Sequence, residues 1–151
     1  MITMGIRAAP TAVTFAIYDS DEKKVVNIEE IRVPAALATP DALKYIRSNL
    51  LDVLREFKVE KAGIRATEPN AQNPSIDRIH IEGVIQEAFA SSNLLAYYIG
   101  HISTISHKLG IARTAFKPLV DGENDYPVEN WKKMSKEERE ALLSAIGAVN
   151  V

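Results

Sequence analysis

The sequence predicts one α/β domain on two observations. Three period-two apolar segments follow one another before residue 34, and helix-period segments then alternate with short apolar runs to the end of the chain. The expected order is βββ-α-β-α-β-α, followed by a long loop and a final α. A chain of 151 residues with 46% hydrophobic and 25% charged side chains buries enough surface to hold a core without a metal or a disulfide. The absence of cysteine excludes disulfides, thiolate catalysis, iron–sulfur clusters and cysteine-ligated zinc. It also fits a reducing compartment, so a cytoplasmic location is expected. No apolar run approaches the ~20 residues that span a bilayer, and no membrane partner is expected.

Residues 2–8 form a short apolar strand, Pro10-Thr11 a tight turn, and residues 12–18 a returning strand in which Val13, Phe15 and Ile17 alternate with Thr14, Ala16 and Tyr18. Arg7 and the apolar residues after it imitate a signal peptide. Pro10 interrupts that run and no small-residue cleavage site follows before Asp19, so the strand reading prevails. Asp19 to Lys24 is a polar turn. In residues 25–33 the apolar phase slips at Glu29-Glu30, which predicts a bulge or a sheet edge there.

Thr39-Pro40-Asp41 reads as cap, first helical position and first-turn acid of a helix whose Leu43, Ile46, Leu50, Val53, Leu54 and Phe57 share one face. Residues 59–66 read as a strand and residues 68–74 as a loop. Ser75 caps a helix to about residue 91, with Ile76, Ile79, Val84, Ala88 and Phe89 expected to face inward. The run Leu94 to Ile99 is almost wholly apolar, which predicts an interior strand covered on both faces. Ser103 caps a short helix that stops at Gly110. The periodicity is then lost between Ile111 and Met134, a stretch punctuated by Pro118, Gly122 and Pro127 that reads as a long loop. Ser135-Lys136-Glu137-Glu138 is a capping box that opens the last helix.

Several chemistries are excluded by spacing. The seven glycines, at 5, 63, 83, 100, 110, 122 and 147, are too far apart for a phosphate-cradling loop, and no nucleophile elbow exists. Ser106 and His107 are adjacent on a helix, where neighbouring side chains diverge. His80, His101 and His107 lack the spacing that aims two imidazoles at one metal. Residues 121–132 begin like a calcium loop, but Tyr126 stands at the turn-glycine position and Lys132 at the bidentate-glutamate position. The net charge of −2 hides an uneven layout. Between Ala88 and Val120 there is no acid, while His101, His107, Lys108, Arg113 and Lys117 are present; four acids and no base follow between Asp121 and Asn130. The basic stretch suits phosphate binding, or else Lys108 and Arg113 offset a helix dipole.

The three-stranded meander, the strand end Gly5-Ile6-Arg7-Ala8, the strand Ala62-Gly63-Ile64-Arg65, the helix segment Ile81-Glu82-Gly83-Val84-Ile85 and the segment from Ser103 to Gly110 occur in an order that resembles a known group. The chain resembles the ribonuclease H-like superfamily in its branch of RuvC-type Holliday junction resolvases, and is similar to a small bacterial family of unknown function in that clan. The resemblance covers residues 2–110 and the last helix. It implies a three-stranded antiparallel meander extended by two parallel strands, with helices on both faces. It also implies two-metal phosphodiester hydrolysis, with magnesium held by carboxylates at the ends of the first and fourth strands and on the last helix.

Residue by residue, the first of those positions falls on Arg7 and the second on Arg65. The last helix offers Glu137 and Glu140 one turn apart. Two guanidiniums where the family has carboxylates reverse the local charge, and arginine does not deprotonate to admit a cation. The expectation is therefore a catalytically degenerate domain with no cofactor, which binds nucleic acid or a protein partner. Arg7 and Arg65, joined by Lys108, form a candidate anion site; the competing reading pairs these arginines with Glu137, Glu140 or Glu68 in a structural network. Two further alternatives stand: a magnesium-dependent nuclease with relocated carboxylates (Glu68, Glu137 and Glu140, with Glu82 nearby), and a scaffold subunit unrelated to nucleic acid.

Overall fold

A computed structural model describes all 151 residues. Strands β1 (Ile2–Ala9), β2 (Ala12–Asp19) and β3 (Lys24–Arg32) form the antiparallel meander, and β4 (Lys61–Arg65) and β5 (Ala96–Gly100) extend it in parallel. The order across the sheet is β3-β2-β1-β4-β5. One face carries Met4, Ile6, Val13, Phe15, Ile17 and Ile64, which pack under α1 (Thr39–Glu56) and α2 (Ile76–Ser91). The other carries Ala16, Tyr18 and Tyr98 and packs under α5 (Lys136–Ala148), with α3 (Ile102–Leu109) and α4 (Arg113–Val120) beside it. The period-two alternation of β1 and β2 is what divides apolar side chains between these two layers.

The sheet and α5 approach unusually closely at one point. A Cβ on Gly5 would lie 1.8 Å from the carbonyl oxygen of Ala141 and 2.3 Å from the amide nitrogen of Ala145. Only a residue without a side chain admits that contact. Ala141, Ala145 and Ala148 keep the facing side of α5 low. The Thr3 hydroxyl donates to the Ala145 carbonyl at 2.7 Å, and the Tyr98 hydroxyl donates to that of Ser144 at 2.9 Å. The helix is thereby pinned in register as well as in distance. The expected capping box is present at its start, with Ser135 and Glu138 exchanging hydrogen bonds.

Five expectations need correction. The strand at 94–99 is not interior: β5 is a sheet edge, and Leu95, Tyr97 and Ile99 are exposed because α1 and α2 lie over β1, β2 and β4. In α2, Ile76 and Ile79 face solvent, while Ile81, Glu82, Ile85, Ala88 and Phe89 face inward; apolar residues occupy both sides of this helix, so periodicity alone does not choose between them. The long loop is shorter than expected, because α4 forms from residue 113 and a 3-10 turn spans Trp131–Lys133. Phe116, Leu119 and Val120 bury at helical spacing there, and that burial carries α4 through Pro118. The irregularity in β3 lies between Val25 and Asn27, where Val26 is the extra residue, and Glu29-Glu30 owe their exposure to the sheet edge. Finally, α1 and α3 start from Ala38 and His101, neither of which caps through its side chain.

Arg139 was not singled out by its sequence position, yet its guanidinium binds α5 to the segment before it. It donates to the carbonyls of Trp131, Val120 and Lys132 at 3.0, 2.9 and 2.9 Å. Those carbonyls belong to the end of α4 and to the 3-10 turn, so one buried side chain ties both segments to the start of α5.

Gly5→Ala tests the closest contact in the fold. The added methyl has only backbone to displace, and the substitution is expected to cost about 3 kcal/mol or more, beyond the ordinary range of overpacking. Urea unfolding of the variant beside the natural chain measures this directly.

Candidate functional site

The ends of β1 and β4 lie side by side, with Arg7 in register with Arg65. Both side chains point to the α5 face, because each sits one residue beyond an inward-facing isoleucine, Ile6 and Ile64. Glu140 precedes Ala141, the residue whose carbonyl meets Gly5, so the close packing of α5 delivers this carboxylate between the two strand ends. Arg7 Nε donates to Glu140 Oε1 at 3.2 Å and Arg65 Nε donates to Glu140 Oε2 at 2.6 Å. Each carboxylate oxygen is held by one guanidinium, and all three side chains are at most about one fifth exposed.

Further charges complete the cluster. Arg65 Nη1 donates to Glu68 Oε2 at 2.8 Å, and that same oxygen accepts from the Ile102 backbone N–H at 3.1 Å. Arg7 and Arg65 also donate to the carbonyls of Ala8 and Ala66. Arg78, on the first turn of α2, lies 2.8 Å from Glu82, whose carboxylate accepts from the backbone N–H and the hydroxyl of Thr67. Burial, followed by the charge of Arg7, pushes the Arg78 guanidinium below the usual arginine value, while Glu82 acts in the opposite direction. Three arginines thus alternate with three glutamates at the ends of adjacent parallel strands.

The structure brings Arg7 and Arg65 together, and it does so in the ion-pair arrangement with Glu140 and Glu68. Lys108 does not join them. Its ammonium stands 5.0 Å from the centre of the Tyr98 ring, and its Cβ would be 3.5 Å from a methyl on Gly147, about two helical turns along α5 from Glu140. Arg78 is the third cation instead. The i,i+4 spacing of Arg78 and Glu82 was the available signal for it. Glu137 takes part in none of these ion pairs; it lines a separate cavity against β2 and β3. Ser106 is buried and His107 exposed, as diverging neighbours on a helix should be.

Two hydrated divalent cations need several carboxylate oxygens free to coordinate them. Here both oxygens of Glu140 accept from arginines, Glu68 accepts from Arg65 and a backbone N–H, and no three acidic or histidine side chains are gathered closely enough to hold a metal. The residues at these strand ends do not fit a metal pair.

The strand-end arginines each keep one nitrogen outside the network. Nη2 of Arg7 and Nη2 of Arg65 donate to no protein atom, and neither is sealed from solvent. Beside them, Phe116 of α4 lies 5.6 Å from the Arg65 guanidinium, and α4 carries Arg113 and Lys117 exposed on its surface.

Glu140 is the counter-ion common to both strand-end arginines. Glu140→Gln leaves two nearly buried guanidiniums facing each other and is expected to destabilise the fold by about 3 kcal/mol, in the range found when one partner of a buried ion pair is removed. Glu30→Gln, at an exposed pair with Arg32, is expected to cost less than ~1 kcal/mol. Denaturant titrations of the two variants give the comparison.

No protein-family model matches this chain, and no curated protein is similar to it in sequence. Its backbone is similar to solved structures. RuvC of Thermus thermophilus superposes with a TM-score of 0.74 at 15% identity, over 97% of this chain and 92% of that one. The T. thermophilus RuvC structure in complex with a Holliday junction substrate gives 0.68 at 15% identity, over 97% and 91%. Ydc2, the yeast mitochondrial Holliday junction resolvase, gives 0.55 at 12%, over 98% and 78%. Taken with the meander, the two parallel strands and helices on both faces, these likenesses give the chain the ribonuclease H-like fold in the form seen in RuvC.

Proposed function

We propose that this chain is a non-cleaving domain that binds the phosphate backbone of nucleic acid. The observation that carries the reading is the pairing of both Glu140 oxygens with Arg7 and Arg65 at the strand ends. A guanidinium cannot be displaced by deprotonation, so the cluster keeps its own cations in place of metal ions. Binding is supported by the solvent-accessible, unpartnered Nη2 groups of these arginines and by Arg113 and Lys117 on the neighbouring helix, on a segment that holds no acid. It is supported further by the likeness to a RuvC structure that contains a Holliday junction. The paired arginines supply orientation through fixed N–H groups, and the exposed cations supply the salt-dependent part of the affinity.

Labelled four-way junction and linear duplex test this in a mobility-shift assay across salt concentration. The full chain is expected to shift both substrates, with affinity falling as salt rises. Arg113→Ala and Lys117→Ala, which leave the buried network intact, are each expected to weaken binding to both and to reduce the salt slope by about 1. Incubation with magnesium or manganese is expected to leave the DNA uncut. Absence of any shift at low salt overturns binding, and cleavage that disappears in Glu68→Gln overturns the non-cleaving assignment.

A further inference from the structure

Of the three acids in the strand-end cluster, Glu68 is the least committed. Glu140 projects from α5 and gives one oxygen to each strand-end arginine. Glu82 projects from α2, and both of its oxygens accept from Thr67. Glu68 comes from the loop after β4 and uses one oxygen only. Its Oε2 accepts from Arg65 Nη1 at 2.8 Å and from the Ile102 N–H at 3.1 Å, while its Oε1 accepts from no protein atom. Beyond it the chain is weakly held. Residues 69–74 are exposed, and their one backbone hydrogen bond runs from the Ala71 N–H to the Glu68 carbonyl at 3.1 Å. A segment with so few bonds opens at a low cost in free energy.

The Oε2 atom of Glu68 marks a single point where an anion meets two donors of different origin. Arg65 brings its guanidinium from the end of β4. Ile102 brings the first N–H of α3, an eight-residue helix whose N-cap residue, His101, does not cap it through its side chain. Both favour negative charge at that point. The second observation is the guanidinium itself. The Arg65 side chain is only 10% exposed, yet its Nη2 has no partner in the protein. A guanidinium offers its two terminal nitrogens as a fork that fits two oxygens of one anion. Glu68 engages one arm of that fork and leaves the other open.

We propose that the place held by the Glu68 carboxylate is a seat for a phosphate group, and that Glu68 is an internal plug which the phosphate displaces. The inference rests on the reading that this chain binds the nucleic-acid backbone, and it assigns one phosphate of that backbone to Arg65 and the start of α3. Two non-bridging oxygens of a phosphodiester take Nη1 and Nη2 of Arg65 together, and one of them also accepts from the Ile102 N–H. The exchange is charge for charge, because one monoanion replaces another. It adds the hydrogen bond to Nη2 that Glu68 leaves unmade. Against this stands the release of Glu68 into solvent, so the plug lowers affinity and favours an anion that uses both nitrogens. Glu140 and Glu82 do not give way, because each has both oxygens engaged.

Fluorescence anisotropy of a labelled linear duplex, titrated with the full chain at one low salt concentration, tests this. Glu68→Gln is expected to bind about tenfold more tightly than the natural chain, because a charge-assisted hydrogen bond no longer has to be broken. Glu68→Asp keeps the charge but is one methylene too short to reach both donors, and it is expected to tighten binding by a few-fold. If Glu68→Asp binds like the natural chain while Glu68→Gln binds more tightly, the effect is one of net charge and the plug is overturned. Glu68→Gln binding no more tightly than the natural chain overturns it as well. No binding by any of the three proteins overturns the nucleic-acid reading itself, so the two failures are distinct. The unaltered chain gives a readout that does not rely on the variants folding. On saturation with duplex, the Ile102 backbone amide resonance is expected to move, and residues 70–73 to gain mobility in 15N relaxation. An Ile102 amide and a loop that stay as they were in the bound state count against the plug and overturn it.

Discussion

The contact between Gly5 and α5 sets the geometry of everything at the end of the sheet. With the Ala141 carbonyl resting where a Cβ of residue 5 would be, α5 cannot slide or lift without losing the hydrogen bonds from Thr3 and Tyr98. The residue before Ala141 is then delivered to a fixed place between β1 and β4. That residue is Glu140, and its carboxylate is only 11% exposed. A charge taken that far from water is tolerated only with partners of opposite sign, so the packing of a glycine against a helix creates an electrostatic demand two strands wide.

Arg7 and Arg65 meet that demand from two sides. Each guanidinium points its Nε at a different oxygen, and each gives a second nitrogen to the carbonyl of the residue after it, so both are oriented as well as neutralised. Two cations in register on adjacent strands would repel without Glu140 between them. Glu68 and Glu82 extend the alternation to Arg65 and Arg78, and Glu82 simultaneously orders the loop through Thr67. The result is a preorganised cluster at the place where the ribonuclease H-like fold presents its strand ends. Its exposed chemistry is that of oriented guanidinium N–H donors.

Much of this was legible in the sequence, for identifiable reasons. Alternation in Val13, Phe15 and Ile17 fixes the faces of β2, and a capping box marks the start of α5. The arginines at 7 and 65 stand out because an otherwise matching strand pattern ends in the wrong charge. Arg139 was not legible, because a guanidinium that binds carbonyls has no spacing signature of its own, whereas Arg78 could have been found from its i,i+4 spacing to Glu82. The position of β5 at the edge was missed because an apolar run reads the same whether helices cover one face or two. Only the reach of α1 and α2 across the sheet decides that, and reach is a property of packing between distant segments.

Glu30, Thr14, Arg7, Arg65 and Gly100 are successive register partners across the sheet, and this row explains how one short sheet carries two opposite surfaces. Strand neighbours are about 5 Å apart, so Glu30 and Arg7 are separated by roughly 10 Å, close to a Debye length at physiological salt. Charges at that distance are partly screened wherever water lies between them. Thr14, uncharged and nearly buried, is the residue between them. A carboxylate at that position would pull Arg7 away from Glu140, and an arginine there would collapse onto Glu137 and Glu30 and fill the cavity. A hydroxyl does neither. The neutrality of one residue in the middle of the row keeps the arginine cluster apart from the acidic edge of the sheet.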